Sequence, residues 1–186
     1  MTTPTRTSHS FSAKDEGQPQ AVGFSLVVEM ELLGVRLELP ANAPILLLRE
    51  VGGQRRVLPI YIGGEEAKAI ALALERVTTP RPMTHDLMKD LLEEMGAQVK
   101  RIVVTELRDS TFYAEIELQA NGEVHRVSSR PSDAVALAVR VNTTIFASEA
   151  VLDEAAAPLG EEEEQEDLVV QFREFIEQVN PEDFAS

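Results

Sequence analysis

Two short segments of the chain repeat one arrangement of residues. Each places an arginine, a proline, a hydroxyl residue and an aspartate before a run with helical apolar spacing; they are RPMTHD at residues 81–86 and RPSD at residues 130–133. A helix N-terminus gathers unpaired N–H groups and partial positive charge, which hydroxyl and carboxylate groups satisfy. Thr84 and Ser132 are therefore expected to cap two helices. Capping does not explain the repeated arginines.

Arginine, histidine and carboxylate side chains are the types that bind phosphate groups and transfer protons. Cleavage of a phosphate ester needs an activated water, stabilisation of charge in the transition state and help for the leaving oxygen. Arg81 and Arg130 can clamp phosphate oxygens with paired hydrogen bonds, which makes them candidate phosphate-binding residues. The candidate catalytic residues are His85, whose imidazole titrates near neutral pH, together with Asp86 and Asp133.

Carboxylates near these segments are also candidate metal ligands. The chain contains no cysteine, so any metal ion must bind through oxygen or imidazole. Mg²⁺ prefers carboxylate oxygens and water, and Mn²⁺ also accepts imidazole. We therefore predict Mg²⁺ or Mn²⁺ as a cofactor, with four candidate ligands: Glu65, Glu66, Asp86 and Asp133.

Each assignment has a structural alternative that the sequence leaves open. Glu65 and Glu66 also suit the first turn of a helix that has no catalytic role. The arginines of the two segments can instead form bidentate salt bridges to Asp133 and Asp86, which would cross-link the two helix starts. Weaker candidates are Tyr61, which either stacks on a base or only ends a strand, and two further histidines, His125 and His9.

The charge of the chain is uneven. The net charge is −15, and the segment from Asp153 to Ser186 holds 12 acidic residues and one arginine. The rest of the chain therefore has a net charge closer to zero. It lacks the strongly basic surface with which many proteins bind nucleic acid electrostatically. Any binding of nucleic acid is expected to be local, weak or metal-assisted.

Length and hydropathy indicate a single globular domain with extensions. The chain has 186 residues, of which 44% are apolar, enough for one core. Its longest apolar runs fall short of the ~20 residues that a membrane-spanning helix needs. The N-terminal residues are polar and do not resemble a signal peptide. We expect no membrane contact and a cytoplasmic location.

The chain divides into three predicted parts. Residues 1–22 are polar and predict a disordered leader. Residues 23–152 predict the compact domain, and residues 153–186 predict an acidic linker followed by a C-terminal amphipathic helix. This terminal helix must pack on its own domain or on a partner protein.

Within the domain, apolar periodicity predicts an α+β fold. Two-residue alternation predicts strands, with a bulge or bend at Gly34 and an edge strand at Pro59. Helical spacing predicts three helices, which begin near Glu65, Thr84 and Pro131. We expect a mainly antiparallel twisted sheet with the three helices packed on it, and we expect the apolar face of the second helix to join the core.

From Glu31 to about Leu152 the chain resembles the bifunctional nuclease domain family, also called a domain of unknown function. Four blocks in order carry the resemblance: LPIYIG with EEA and AI at residues 58–70, RPMTHDL at 81–87, FYA at 112–114 and RPSDAVALA at 130–138. The resemblance implies an α+β domain that self-associates as a homodimer or larger homo-oligomer. It also implies a nuclease that acts on both DNA and RNA.

One position departs from the family pattern. Many relatives carry an acidic residue two positions before the second Arg-Pro pair, where this chain has Ser128. If that acid helps to hold a metal ion, this chain would bind the ion more weakly or differently.

Two functions are thus expected from the sequence. The first is a metal-assisted nuclease of low sequence specificity. The alternative is a non-enzymatic, oligomeric regulatory or ligand-binding module whose arginine–aspartate pairs are architectural and whose C-terminal helix binds a protein partner.

Overall fold

A computed structural model describes residues 26–38 and 40–157. The predicted leader and the predicted C-terminal helix lie outside the described residues. The elements follow one another in this order: β1 (Val27–Glu38), β2 (Ala43–Glu50), β3 (Val57–Tyr61), α1 (Gly64–Leu74), α2 (Thr84–Glu94), β4 (Gln98–Arg108), β5 (Thr111–Ala120), β6 (Glu123–Ser129), α3 (Pro131–Val141), β7 (Thr144–Ser148) and α4 (Glu149–Ala155). Over these residues, no helix is both long enough and apolar enough to cross a membrane.

The strands form one seven-stranded sheet in the order β3-β2-β1-β7-β4-β5-β6. All neighbours are antiparallel except β4 and β7, which are parallel. The α+β class and the mainly antiparallel sheet are therefore confirmed, whereas the parallel pair was not predicted. It arises because α3 carries the chain from β6 back across the sheet, so that β7 runs in the direction of β6 and β4.

Two local predictions about the strands are confirmed. The register of β1 against β2 shifts between Leu32 and Gly34, and Gly34 has a φ of 142°, which a side chain rarely adopts. Pro59 lies in β3, which is an edge strand of the sheet. Because no strand pairs with the outer side of β3, a proline without an N–H is tolerated there.

Helix α3 lies at the centre of the helical layer. It packs on α1, on α2 and on the sheet. Small and branched side chains let it approach the sheet closely, and five consecutive residues, Ala134, Val135, Ala136, Leu137 and Ala138, are each at most 1% exposed. Its position is therefore fixed from several sides.

Helix α2 corrects the prediction of a core-facing apolar stripe. Met88 and Leu92 pack partly against the core, but Leu87, Leu91 and Met95 are 50%, 54% and 74% exposed. The reason is that α2 packs mainly on α3, at the rim of the helical layer, so only one side of its broad apolar face is covered.

The starts of α2 and α3 correct the predicted caps. The N-cap residues are Met83 and Arg130, with no side-chain cap bond, and Ser132 is a buried residue of the first turn. Pro131 explains why Arg130, and not Ser132, is the N-cap of α3. Proline fits the first helical position, where a missing N–H costs nothing, so the helix begins at Pro131. In α2 the Met83 N–H instead donates to Asp86 Oδ2 at 3.0 Å.

A fourth helix was not predicted. The short helix α4 begins directly after β7, and its N-cap Ser148 accepts a hydrogen bond from the Val151 N–H at 3.3 Å. Val151 and Leu152 are each 1% exposed, so α4 closes part of the core.

Arg56 ties the β2–β3 turn to α4. Its Nε donates to Glu50 at 3.0 Å, its Nη2 to Glu149 at 2.9 Å and its Nη1 to Asp153 at 3.1 Å. Glu50 is buried, and the Arg56 hydrogen bond outweighs burial and holds the pKa of Glu50 below its ordinary value. The buried carboxylate is therefore charged and depends on Arg56.

Arg56→Met is expected to lower the free energy of unfolding by about 3–5 kcal/mol, because it leaves the buried Glu50 charge without its partner. Urea unfolding measures this loss. Lys68→Met is the control, since Lys68 pairs with Glu65, whose side chain is 77% exposed, and such surface pairs contribute little to stability. Equal losses in the two variants would contradict the role of Arg56.

Candidate functional site

Four side chains from three helices meet where α3 begins; we call them the Arg130 cluster: Glu66, His85, Arg130 and Asp133. Arg130 holds Asp133 with two bonds, from Nε to Oδ2 at 2.7 Å and from Nη2 to Oδ1 at 3.1 Å. Its Nη2 also donates to Glu66 Oε1 at 2.6 Å. The guanidinium therefore joins the starts of α1 and α3.

His85 joins α2 to the same cluster. Its Nε2 lies 3.1 Å from Asp133 Oδ1, and the residue is only 7% exposed. Burial alone would raise the pKa of Asp133, but the bonds from Arg130 and His85 outweigh it and hold that pKa below its ordinary value. Asp133 is therefore ionised at neutral pH and can only accept, so Nε2 must carry the proton that it donates.

When the His85 ring carries only this proton, Nδ1 has a free lone pair. Asp133 fixes the tautomer and the ring orientation, as a carboxylate beside a catalytic histidine does. The arrangement has the parts of a general base held by a carboxylate.

Local sequence explains how Glu66 reaches Arg130. Glu66 lies in the first turn of α1, and its carboxylate folds back over Gly63. A Cβ atom at Gly63 would lie 2.1 Å from Glu66 Oε2, which is far inside van der Waals contact. Glycine at position 63 is therefore required for this orientation of the carboxylate.

Asp86 faces a different arginine from the one that the sequence suggested. Arg140 Nε donates to Asp86 Oδ1 at 2.5 Å, and Arg140 Nη1 donates to the Ala136 carbonyl at 2.9 Å. Burial would raise the pKa of Asp86, but the bonds from Arg140 and the Met83 N–H outweigh it, so the pKa lies below its ordinary value. Asp86 thus ties the start of α2 to the last turn of α3, a pairing that differs from the predicted one.

Arg140 is the residue that sequence reasoning missed. Its side chain is 6% exposed, and it lies 54 residues from Asp86 in the chain. The signal in the sequence was one basic residue in the last turn of an otherwise apolar helix. Such a residue is also common at helix C-termini for electrostatic reasons, so the sequence did not identify its partner.

The remaining candidates lie outside the cluster. Glu65 is exposed and bonded to Lys68 at 2.9 Å, and the Tyr61 hydroxyl donates to Glu38 at 2.6 Å at the end of β3. Arg81 is exposed in the loop before α2, and its carbonyl accepts a bond from the Thr79 hydroxyl at 2.7 Å. His125 and Ser128 are exposed on β6, and His9 lies outside the described residues.

A divalent metal ion does not fit these donors as they are arranged. Across residues 26–38 and 40–157, no three histidine, aspartate or glutamate side chains are grouped to hold a metal ion. Both oxygens of Asp133 and one oxygen of Glu66 are bonded to Arg130, whose positive charge lies where a cation would bind. The predicted Mg²⁺ or Mn²⁺ stays a prediction.

Comparison with known proteins supports the resemblance in the four motif blocks. The sequence model of the bifunctional nuclease domain matches residues 46–160, which include the whole Arg130 cluster. An uncharacterized protein of Mycobacterium tuberculosis is 44% identical over 165 residues, covering 85% of this chain and 98% of that protein.

Plant proteins are more distant relatives. Bifunctional nuclease 2 of Arabidopsis thaliana is 30% identical over 112 residues, covering 58% of this chain and 34% of that protein. Bifunctional nuclease 1 of Oryza sativa subsp. indica is 27% identical over 117 residues, covering 61% of this chain and 35% of that protein. The match thus spans about a third of the length of these plant relatives.

Acidification is expected to weaken the fold through Asp133. Its folded pKa lies below the ordinary 3.8, so its contribution to stability is complete at neutral pH and is lost as the pH falls through the folded pKa. Asp133→Asn should therefore lower the free energy of unfolding at pH 7 by about 1–3 kcal/mol and flatten its dependence on pH between about 5 and 3. Urea unfolding across that range measures both effects. Asp90→Asn, at an exposed position of α2, should change neither the stability at pH 7 nor its dependence on pH. If the free energy of unfolding of Asp133→Asn varied with pH as it does in wild type, the role of the Asp133 carboxylate would be contradicted.

Proposed function

The chain belongs to the bifunctional nuclease domain family, and we propose that it hydrolyses phosphodiester bonds of DNA and RNA, with low sequence specificity, at the Arg130 cluster. The observation that carries this proposal is the contact between His85 and Asp133, with Arg130 on the same carboxylate. It brings an imidazole from α2 and an exposed guanidinium at the start of α3 to the same carboxylate.

His85 is the proposed general base. With Nε2–H donated to Asp133, Nδ1 accepts a proton from the water that attacks phosphorus, and the P–O bond to the leaving oxygen breaks. Ionised Asp133 then stabilises the imidazolium that forms. The same imidazolium can return its proton to the leaving oxygen, which balances the reaction.

Arg130 is the proposed phosphate-binding residue, together with Arg81. The side chain of Arg130 is 65% exposed even though it contacts two carboxylates. A guanidinium has five N–H donors, so Arg130 can contact a phosphate oxygen while it keeps part of its bonding to Asp133. Glu66 acts here as a positioning residue for Arg130.

Asp86 is proposed to hold the start of α2, next to His85, because it accepts bonds from Arg140 and from the Met83 N–H. A direct catalytic role of Asp86 stays a prediction.

The proposed reaction has no step that uses a metal ion. A requirement for Mg²⁺ or Mn²⁺, with Glu65, Glu66, Asp86 and Asp133 as the predicted ligands, is tested by assays with each ion and with a chelator.

The first experiment compares His85→Gln with wild type in the cleavage of single- and double-stranded DNA and RNA. The initial rate should fall by about 100-fold or more, because general-base catalysis contributes about 10²–10⁴-fold. His125→Gln is the matched control, since His125 is exposed on β6, and it should keep the full rate. Thermal unfolding verifies the folding of each variant. Equal rates in all three folded proteins would contradict the role of His85.

The second candidate function is the oligomeric module without catalysis. The observation that favours it is the exposed apolar stripe on α2, formed by Leu87, Leu91 and Met95. A stripe at helical spacing on a half-covered helix is a suitable surface for a second copy. The two functions also differ in salt dependence, because nucleic-acid affinity falls with a slope of about one unit per phosphate contact.

Leu91→Gln is expected to lower the sedimentation coefficient at micromolar concentration, because it places a polar side chain at the centre of the α2 stripe. Val51→Gln is the control, since Val51 is similarly exposed at 52% but lies in the β2–β3 turn. Analytical ultracentrifugation of both variants and of wild type measures the effect. A sedimentation coefficient that is the same in all three proteins would show that the stripe does not join subunits.

A further inference from the structure

A cleft opens on the side of the α2 start that faces away from the Arg130 cluster. It has a volume of about 380 Å³ and lies between the end of α1, the loop before α2 and the end of α3. This volume lies within the range of small-molecule sites, about 300–1,000 Å³. We call it the Arg76 cleft; its polar lining consists of Arg76, Thr78, Thr79, Asp86 and Arg140.

Arg140 presents an unused donor to this cleft. Its Nε is bonded to Asp86 and its Nη1 to Ala136, while Nη2 has no partner among the described residues. In the same part of the chain, no buried side-chain nitrogen or oxygen lacks a hydrogen-bond partner. Nη2 therefore keeps some exposed surface on a residue that lines the cleft, although the Arg140 side chain as a whole is only 6% exposed.

Arg76 adds positive charge at the rim of the cleft. It is exposed, and no ion pair to it is found within residues 26–38 and 40–157. Its backbone has a φ of 53°, in the left-handed region that a residue with a β-carbon rarely adopts. The turn therefore holds an arginine in a conformation that favours glycine or asparagine, at the cleft that Arg140 also lines.

The charges of the cleft select an anion. The Asp86 carboxylate is already bonded to Arg140 and to the Met83 N–H, so it forms a neutral pair with Arg140. The Thr79 hydroxyl already donates to the Arg81 carbonyl. What remains for a ligand is the Arg76 guanidinium, Nη2 of Arg140 and the Thr78 hydroxyl, and guanidinium groups bind phosphate with paired hydrogen bonds.

The rest of the lining is apolar. Leu72, Val77, Met83 and Val139 supply the smaller, apolar part of the lining, and we refer to them as the apolar walls. We propose that the Arg76 cleft binds a small phosphate monoester whose phosphate contacts Arg76 and Arg140 and whose body packs on these walls. The proposal does not rest on the nuclease activity, because the cleft and the Arg130 cluster use different arginines.

Isothermal titration calorimetry of the full chain tests the proposal, with 5′-AMP as the probe. This compound contains a monoester and no phosphodiester bond, so it is not a substrate of the proposed reaction. We expect 5′-AMP to bind at least about tenfold more tightly than adenosine, which lacks the phosphate, and than inorganic phosphate, which lacks the body.

Two variants locate the binding. Arg76→Gln should weaken 5′-AMP binding by about tenfold or more, whereas Arg55→Gln should not change it. Arg55 is the matched control, because it is also exposed and has the same φ of 53°, but it lies in the β2–β3 turn. Ala73→Phe fills the cleft without a change of charge and should abolish binding, with folding verified by thermal unfolding.

The proposal is overturned if 5′-AMP does not bind at millimolar concentration, if adenosine binds as tightly, or if Arg76→Gln and Arg55→Gln bind alike. If inorganic phosphate bound as tightly as 5′-AMP, the proposed contact between the body of the ligand and the apolar walls would be contradicted. His85→Gln separates the two sites: it should bind 5′-AMP like wild type whether or not the nuclease activity is found.

Discussion

The ionised Asp133 carboxylate is the contact on which the arrangement of the helical layer depends. It accepts two bonds from Arg130 and one from His85, and Arg130 in turn reaches Glu66. Three helices are thereby joined at their N-terminal ends, where the partial positive charge of each helix favours carboxylates. Because α3 is buried against the sheet, this junction is fixed relative to the core, and a group bound there is held in a defined place.

The start of α2 contributes residues to both of the sites that we propose. His85 and Asp86 are adjacent in the chain, but His85 faces Asp133 whereas Asp86 faces Arg140. One side offers a proton acceptor beside an exposed guanidinium, and the other offers a cleft with a spare guanidinium donor and apolar walls. The two proposed sites can share the start of α2 because neighbouring residues on a helix point in different directions.

Much of the fold followed from local patterns in the sequence. The bulge at Gly34 and the edge strand at Pro59 were predicted because the physical causes, a missing side chain and a missing N–H, are properties of single residues. The parallel pair of β4 and β7 was not predicted, since it depends on the path of α3 across the sheet. The exposure of Leu87, Leu91 and Met95 likewise depends on where α2 lies in the layer, which its own periodicity does not specify.

The sequence by itself determined that the two Arg-Pro segments begin helices and that their polar side chains suit phosphate chemistry. It also identified the four members of the Arg130 cluster as candidates, because residue types limit the chemistry available. Only the tertiary structure decided which distant side chains meet: His85 contacts Asp133, 48 residues away, and Asp86 binds Arg140, 54 residues away. The physical reason is that a salt bridge between distant residues is set by the packing of α2 against α3, and local spacing carries no information about which helix faces will meet.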